Sequence, residues 1–210
     1  MSAVCAELHI FAHRGPRYQL PFDAVRLPLN GIYVLFEKGE VGHGGDRIVR
    51  VGTHTGDGQL ASRLIQHFVN ENKDRSIFRK NIGRALLHQS GDPFLAEWEH
   101  DRTSRAGRAQ WGEESDPAKR RAIEVEVTAY LQQHFSFVVF RVEDKADRLH
   151  LESKVISTVS SCSECGPSDR WLGLRSPKEK IRRSGLWLVN ELDKEPLAHL
   201  DVQRLAALMT

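Results

Sequence analysis

Arg63 and His67 are the residues whose types and spacing point most directly to chemistry. They lie four positions apart in a segment where Leu60, Leu64 and Phe68 recur at helical spacing, so one helix would aim both polar groups from a neighbouring face. A guanidinium is planar and permanently charged, which suits it to binding phosphate, and an imidazole can exchange a proton near neutral pH. Taken alone, Arg63 would be a surface arginine. Its register with Leu60, Leu64 and His67 instead favours a catalytic role.

Two strand-like segments precede this helix. Asn30-Gly31-Ile32-Tyr33 opens a run of large apolar residues, and Val49-Arg50-Val51-Gly52 repeats β-branched residues at strand spacing. Between them, residues 37–46 contain four glycines and mixed charge, which predicts a solvated hairpin loop. Gly52 is interpreted as structural, because it allows close backbone approach where the second strand ends. The hairpin is therefore the expected scaffold of the site.

The rest of the chain alternates helical and strand-like patterns. Ser76 is a candidate helix cap, and Asp144 or Asp147 can start a later helix that carries Glu152 near its beginning. In chain order, the pattern predicts an irregular or short-strand lead-in over 8–29, a helix over 76–89, an exposed connection over 99–117, a helix from 117, a strand over 135–142, a helix from 144, a short helix over 177–183, a strand-like stretch over 186–189 and a final helix over 202–209.

Composition bounds the class of protein. With 210 residues, 40% of them hydrophobic and 28% charged, the chain suits a single elaborated domain spanning 1–210. No apolar run approaches the roughly 20 residues that cross a bilayer, so no membrane role is expected. The start lacks the pattern of a secretory signal, and three cysteines do not make a disulfide framework. We therefore expect a cytoplasmic protein.

Charge is concentrated in two segments, although the net charge is only +2. Residues 75–90 contain four basic residues and no acid, and residues 168–183 contain six basic residues against two acids. Two such segments could straddle a phosphate backbone. The alternative is that each is a solvated helix face, which is the commoner origin of a single charge run.

Cys162-Ser-Glu-Cys165 has the spacing of half a zinc site. No second Cys or His pair follows at a suitable distance, and the segment has no redox-fold context, so the two are interpreted as structural thiols. Most of the ten histidines are scattered without ligand spacing. His54, beside Gly52, is the one retained as a candidate phosphate or supporting contact.

The order of hairpin, helix with Arg63, later strand and helix with Glu152 resembles the GIY-YIG nuclease superfamily, particularly free-standing bacterial or restriction-endonuclease-like members. The resemblance covers residues 28–171, with an insertion at about 72–117, and leaves 172–210 as a C-terminal extension. It implies an α+β fold with a small three-stranded antiparallel sheet flanked by helices. It also implies an endonuclease that hydrolyses nucleic-acid phosphodiester bonds with the help of a divalent metal.

The resemblance assigns roles residue by residue. Tyr33 matches the tyrosine of the first motif and would orient or deprotonate the attacking water. Arg63 matches the helix arginine that binds the phosphate, and His67 falls where relatives carry a tyrosine or histidine that contacts the water or leaving oxygen. Glu152 matches the glutamate that holds the metal, which is expected to be Mg²⁺ or Mn²⁺. Arg50 stands where the second motif has a tyrosine, and it is expected to clamp the phosphate.

Two departures keep a second function open. Arg50 cannot act as a phenol, and the asparagine that often follows the metal glutamate near a proline is absent after Pro167, where Asp169 and Arg170 lie. The alternative is therefore a catalytically inactive nucleic-acid-binding domain that retains the fold. A protein-interaction module has little motif support.

DNA is the expected partner and RNA is left open, while the oligomeric state is not defined by the sequence. Sequence preference is expected to come from the helix over 76–89, whose polar residues could enter a groove. Basic groups would fix the register and an asparagine would contact an adenine, through Arg79, Lys80, Asn81 and Arg84.

Overall fold

The fold is built on one four-stranded antiparallel sheet. A computed structural model describes residues 2–112 and 115–208. The strands are β1 (Tyr18–Gln19), β2 (Gly31–Gly42), β3 (Gly45–Gly52) and β4 (Phe135–Arg141), in the spatial order β1-β4-β2-β3. The α+β class is confirmed, but the prediction of three strands is wrong. The added strand has only two residues, and it pairs with β4 where Tyr18 stacks on Phe137 at 5.2 Å between ring centroids.

The hairpin of β2 and β3 is longer than predicted. Both strands continue through the segment expected to be a solvated loop and turn at His43 and Gly44. The glutamates of this segment are buried because each has partners inside the protein. Glu37 accepts hydrogen bonds from the indole nitrogens of Trp171 and Trp187, both at 2.8 Å. The solvated-loop prediction is therefore wrong for the strand residues of this segment.

Helices cover both faces of the sheet. One face packs against α2, α3 and α6, through residues such as Leu64, Phe78 and Val127. The other face packs against α1, α7 and α9. The bounds are α1 Ser2–Arg14, α2 Leu60–Phe68, α3 Ile77–Ser90, α4 Leu95–Trp98, α5 Arg105–Trp111, α6 Pro117–His134, α7 Lys145–Ser160, α8 Glu179–Ser184 and α9 His199–Ala207. None of the helices in the described part of the chain is long and apolar enough to cross a bilayer.

Local sequence signals explain where the helices near the site begin. Ser76 caps α3 by accepting a hydrogen bond from the Arg79 N–H, and Asp144 caps α7 by accepting from the Asp147 N–H. Asp116 caps α6, which has Pro117 in its first turn. These caps fix the register of α3 and α7, the helices that carry Ser76 and Glu152 toward the sheet.

Three other segments depart from the sequence predictions. The N-terminal part of the expected irregular lead-in lies in α1, because Cys5, Leu8 and Ala12 form a helical stripe that is buried on the sheet. Residues 186–189 are not a strand, although the Trp187 N–H donates to the Val49 carbonyl at 2.8 Å. The connection over 99–117 is mostly exposed as expected, but it contains α5, and residues 113–114 lie outside the described residues.

Arg79 of α3 and Glu124 of α6 form a buried ion pair that joins the two helices. Their side-chain atoms Nη2 and Oε2 are 2.7 Å apart, and Arg79 also donates to the Thr128 hydroxyl at 2.7 Å. Both side chains are almost completely removed from solvent. Removing one partner therefore leaves a buried charge without compensation, which is costly even though an intact buried pair stabilises little.

We expect Glu124→Ala to lower the free energy of unfolding by about 3–5 kcal/mol, because it strands the Arg79 guanidinium inside the protein. Urea unfolding monitored by circular dichroism measures the effect. Glu126→Ala is the matched control, since Glu126 is exposed on the same helix, and it should change stability by less than about 0.5 kcal/mol. Equal stability of the two variants would contradict the structural role of the pair.

Candidate active site

Tyr33 lies in the central strand β2, directly opposite Gly52 of β3. Its ring is buried, with 1% of its surface exposed, and it crosses the face of that glycine. A Cβ at Gly52 would lie 2.3 Å from the Tyr33 hydroxyl oxygen, which is far inside van der Waals contact. The second motif therefore requires glycine at this position so that the tyrosine of the first motif can lie across the strand end.

His67 connects Tyr33 to the start of α3. Its Nε2 atom lies 2.7 Å from the Tyr33 hydroxyl, and its Nδ1 atom lies 2.6 Å from the Ser76 hydroxyl. Burial lowers the pKa of His67 well below its usual value, and the nearby charges of Arg50 and Arg63 lower it further. The ring is therefore neutral, so one nitrogen donates and the other accepts. This gives a hydrogen-bonded relay from Tyr33 through His67 to Ser76.

Arg50 places a fixed positive charge beside Tyr33. Its guanidinium lies over the Phe78 ring at 4.7 Å and donates to the Trp187 carbonyl at 2.5 Å. Burial lowers the pKa of Arg50, while Tyr33 and Glu152 raise it, so the three groups lie within electrostatic reach of one another. The Arg50 Nε atom is buried without a hydrogen-bond partner in the described structure. The guanidinium therefore lies beside the Tyr33 phenol with one buried donor unpaired.

Glu152 lies on the second turn of α7, next to the end of β3. Burial raises the pKa of its carboxyl, and this shift is opposed by Arg50 and by the backbone N–H of Thr53. Glu191, from the C-terminal extension, adds a second negative charge that raises the pKa of Glu152 further. The carboxylate is half-buried, so burial opposes its charge and a nearby cation would stabilise it.

Arg63 lies at the mouth of the site. It is half-buried on α2, and its Nη1 atom donates to the Gln66 side chain at 3.1 Å and to the Arg75 carbonyl at 3.0 Å. It lines an open pocket of about 370 Å³ together with Thr53, His54, Thr55, Gln59, Ser62 and Gln66. Because Arg63 also shifts the pKa values of Arg50 and Glu152, the pocket lies beside those groups.

The structure thus brings together all five residues that the sequence analysis placed in the catalytic centre. Tyr33 and Arg50 come from neighbouring strands, Arg63 and His67 from α2, and Glu152 from α7. The phenol and the Arg50 guanidinium are buried, whereas Arg63 and Glu152 are half-buried. A substrate approaching the site would therefore meet Arg63 and Glu152 before it reached the phenol.

His54 has both ring nitrogens engaged inside the protein. Its Nε2 atom accepts from the Gly31 N–H at 3.3 Å, and its Nδ1 atom donates to the Gly56 carbonyl at 2.6 Å. Burial lowers the pKa of His54, which keeps the ring neutral. It lines the pocket but has no free donor for a phosphate, so the structure assigns it to holding the loop after β3 in place.

The structure contradicts the prediction that α3 enters a DNA groove. Arg79 is ion-paired with Glu124, and Arg84 is ion-paired with Glu99 at 2.6 Å. The Lys80 ammonium donates to the Glu99 carbonyl at 2.7 Å, and Asn81 accepts from Arg84 at 2.6 Å. At most 8% of the surface of any of these four residues is exposed, a burial that the charge count could not reveal.

Three contributors to the site were missed by the sequence analysis. Ser76 was predicted only as a helix cap, but its hydroxyl also contacts His67. The Trp187 carbonyl and Glu191 belong to the C-terminal extension, which had been set apart from the core. No local sequence pattern identifies the Trp187 carbonyl or Glu191 as part of the site. The apolar run around Trp187 was the one available signal that this segment is buried against the sheet.

The carboxylate of Glu152 fits a hard divalent cation. Mg²⁺ prefers oxygen ligands, keeps several waters and binds through one or two carboxylates together with substrate phosphate oxygens. Glu152 supplies one such carboxylate in a position where burial disfavours its charge and a cation would restore it. The donor set of this site is therefore compatible with Mg²⁺ or Mn²⁺.

Comparison with known proteins gives one family. A model of the GIY-YIG domain matches residues 15–209. No curated protein and no solved structure matches the chain. The matched range includes the extension that supplies the Trp187 carbonyl and Glu191.

The buried, neutral His67 predicts how stability depends on pH. In the unfolded chain a histidine protonates below about pH 6.5, whereas the folded ring resists protonation, so its contribution is present above pH 6.5 and is lost as pH falls. Between about pH 7.5 and 5.5, the wild type should lose about 1.4 kcal/mol more unfolding free energy than His67→Gln. Urea unfolding at both pH values measures this. His88 is exposed, so His88→Gln should lose as much unfolding free energy between the two pH values as the wild type. The same loss in His67→Gln would contradict the assignment of this pH dependence to His67.

Proposed function

The chain belongs to the GIY-YIG domain family, and from that membership we propose that it is a metal-dependent endonuclease that hydrolyses DNA phosphodiester bonds. Proteins of this family are generally nucleases. The observation that carries the proposal for this chain is the meeting of Tyr33, Arg50, Arg63 and Glu152 at one strand end. These residues come from four elements and have no shared structural need to be there.

Phosphate binding is assigned to the two arginines. Arg63 lines the open pocket and presents a half-buried guanidinium, which suits a phosphate whose negative charge grows toward the transition state. Arg50 lies deeper, beside Tyr33, where its charge acts through a medium of low dielectric. Its fixed hydrogen bond to the Trp187 carbonyl means that this charge is in place before substrate arrives.

Water activation is assigned to Tyr33, with His67 as its hydrogen-bond partner. The Tyr33 oxygen would orient the attacking water or take its proton, and the Arg50 guanidinium lies beside it. The neutral His67 accepts from or donates to the same oxygen, and Ser76 holds its other nitrogen. The two hydrogen bonds thereby set the orientation of the phenol and of the imidazole beside it.

Glu152 would hold Mg²⁺ or Mn²⁺ through its carboxylate. When bound, such a cation polarises phosphoryl oxygens and neutralises charge that develops on the substrate. Glu152 is aimed by its position on α7 and by the Thr53 N–H, both of which belong to the folded scaffold. Glu191 lies close enough to add negative charge, and we propose that it strengthens cation binding.

A second candidate function is a nucleic-acid-binding domain without catalysis. It is favoured by the absence of a tyrosine in the second motif, where Arg50 is committed to the Trp187 carbonyl and to Phe78. On this alternative, Arg63 would still bind phosphate and Glu152 would be a buried carboxylate without a catalytic role. The two functions differ in whether the protein cleaves nucleic acid in a reaction that depends on Glu152.

We expect Arg63→Ala and Glu152→Gln each to reduce cleavage by at least about 100-fold, because each removes a group that stabilises the charge of the reacting phosphate. The assay is nicking of supercoiled plasmid with Mg²⁺ or Mn²⁺, with an RNA substrate in parallel. Arg121→Ala and Glu126→Gln are matched controls, since both residues are exposed on α6, and both should cut like the wild type.

The outcomes separate the two functions. Metal-dependent cleavage that survives Glu152→Gln would show a different site or a contaminating nuclease. A wild type that binds DNA without nicking it, at any added divalent metal, would support the binding domain instead. Preferential cleavage of RNA would keep the chemistry and change the substrate.

Tyr33→Phe tests the proton-transfer role. We expect single-turnover cleavage to fall by about 10²–10⁴-fold, while DNA affinity stays within about threefold, because only the phenolic oxygen is lost. The variant also leaves one His67 nitrogen unpaired, at a cost of about 1–3 kcal/mol in stability, so thermal unfolding is measured alongside. Tyr18→Phe is the control, since it loses one exposed hydrogen bond to the Arg26 carbonyl. Undiminished cleavage by a folded Tyr33→Phe would exclude the phenol as the base.

A further inference from the structure

All three cysteines of the chain meet at one point on the far side of the sheet, together with one histidine. The possible ligand atoms of Cys5, His43, Cys162 and Cys165 all lie within 4.8 Å of one another. The Sγ atoms of Cys5 and Cys165 are 3.6 Å apart, and His43 Nε2 is 3.3 Å from the Cys162 Sγ. Every cysteine is a free thiol.

These four residues come from three separate parts of the chain. Cys5 lies on α1, His43 lies at the turn between β2 and β3, and the two remaining cysteines follow the end of α7. His43 adopts a left-handed backbone conformation, with φ of 51°, which is unusual for a residue other than glycine. A Cβ at Gly42 would lie 3.0 Å from the Cys165 Cβ, so the turn is pressed against the cysteine loop. The hairpin tip is thus shaped to bring an imidazole to three thiols.

Two of the separations between ligand atoms match those of a tetrahedral metal site. Zinc binds cysteine sulfur at about 2.3 Å and histidine nitrogen at about 2.0–2.1 Å, so tetrahedral ligands lie about 3.8 Å apart for two sulfurs and about 3.5 Å apart for sulfur and nitrogen. The observed separations of 3.6 Å between two sulfurs and of 3.3 Å between nitrogen and sulfur are each close to the corresponding value. A disulfide, with sulfurs about 2.05 Å apart, would use two of the thiols and leave the third and His43 unexplained.

The surroundings support ligation by His43 through Nε2. Its Nδ1 atom lies 3.9 Å from the Glu164 carboxylate, which is longer than a hydrogen bond, while Nε2 is directed at the thiols. His9 is a neighbour of a different kind, because its Nδ1 donates to the Cys5 carbonyl at 2.9 Å and its Nε2 accepts from the Ile48 N–H at 3.2 Å. Its two nitrogens are already used, so it supports the site without being a ligand.

We propose that Cys5, His43, Cys162 and Cys165 bind one structural zinc ion. All four positions are filled by protein ligands, which is typical of structural rather than catalytic zinc. The Cys162-Ser-Glu-Cys165 motif is therefore half of a complete site, whose other half precedes it in the chain. The interpretation of these residues as plain structural thiols missed this because the partners lie at positions 5 and 43.

The ion would tie together three segments that are distant from one another in the chain. It joins α1, the tip of the β2–β3 hairpin and the loop after α7, on the face of the sheet opposite His67 and Phe78. Because the site is closed and lies away from Tyr33, it has no role in the proposed hydrolysis. The inference stands independently of the proposed function.

The test is metal content and cobalt spectroscopy of the full chain. Protein purified without chelator should contain about one zinc per chain by elemental mass spectrometry. Metal-free protein titrated with Co²⁺ should develop the visible bands of tetrahedral cobalt–thiolate at one equivalent, and removal of zinc should lower the melting temperature. Protein with less than about one-tenth of an equivalent of zinc that also gives no cobalt bands while folded would overturn the proposal, as would a Cys5–Cys165 disulfide in its place.

Substitutions of the proposed ligands test where the ion binds. Cys165→Ser and His43→Ala should each reduce zinc content below about one-tenth per chain, whereas exposed His88→Ala should keep about one. His43→Cys preserves four ligands, so it should still bind Co²⁺ with stronger sulfur charge-transfer absorption, which covers the case where other variants do not fold. Full zinc retention in folded Cys165→Ser, with no change in the cobalt spectrum, would place the metal elsewhere.

Discussion

The sheet is covered by helices on both faces, and this constraint governs the buried polar groups that it carries. A buried donor, acceptor or charge has no water to bond with, so it must find its partner inside the protein. Glu37 is the clearest case: it sits on the central strand and is held by two indole nitrogens from the C-terminal part of the chain. The same requirement pairs Arg79 with Glu124 and engages both nitrogens of His67.

At the site, the same burial determines the charge and the hydrogen bonding of the groups proposed to act on the substrate. Arg50 is buried, and its positive charge, which is only partly offset by the Trp187 carbonyl, lies beside the Tyr33 phenol. His67 is kept neutral by the same burial and by the neighbouring arginines, which leaves one ring nitrogen to donate and the other to accept a hydrogen bond. The C-terminal segment supplies both the Trp187 carbonyl and the charge of Glu191. The C-terminal segment is therefore part of the site.

Sequence reasoning succeeded where a signal is local and failed where the partner is distant. Gly31, Gly52 and the periodic residues of α2 specify the hairpin and helix within forty positions, and Ser76 and Asp144 mark helix starts directly. The four polar residues of α3 gave the opposite result. Their charge pattern is the same for a solvated face and for a buried network, and the deciding partner, Glu124, lies 45 positions beyond Arg79. Glu37 was placed in a loop for the same reason, since its indole partners are more than 130 residues away.

Helix α7 links the two proposed metal sites, and their different chemistry affects how either can be studied. About 12 Å of helix separates Glu152 from Ser160, two residues before Cys162. One site offers a hard carboxylate suited to Mg²⁺, and the other offers thiolates and an imidazole suited to zinc. A strong chelator removes both ions, so loss of cleavage in its presence reports on folding and catalysis together. Restoration by Mg²⁺ alone then has a definite meaning: the scaffold around Glu152 stays folded without zinc, because Mg²⁺ cannot replace a thiolate-bound ion.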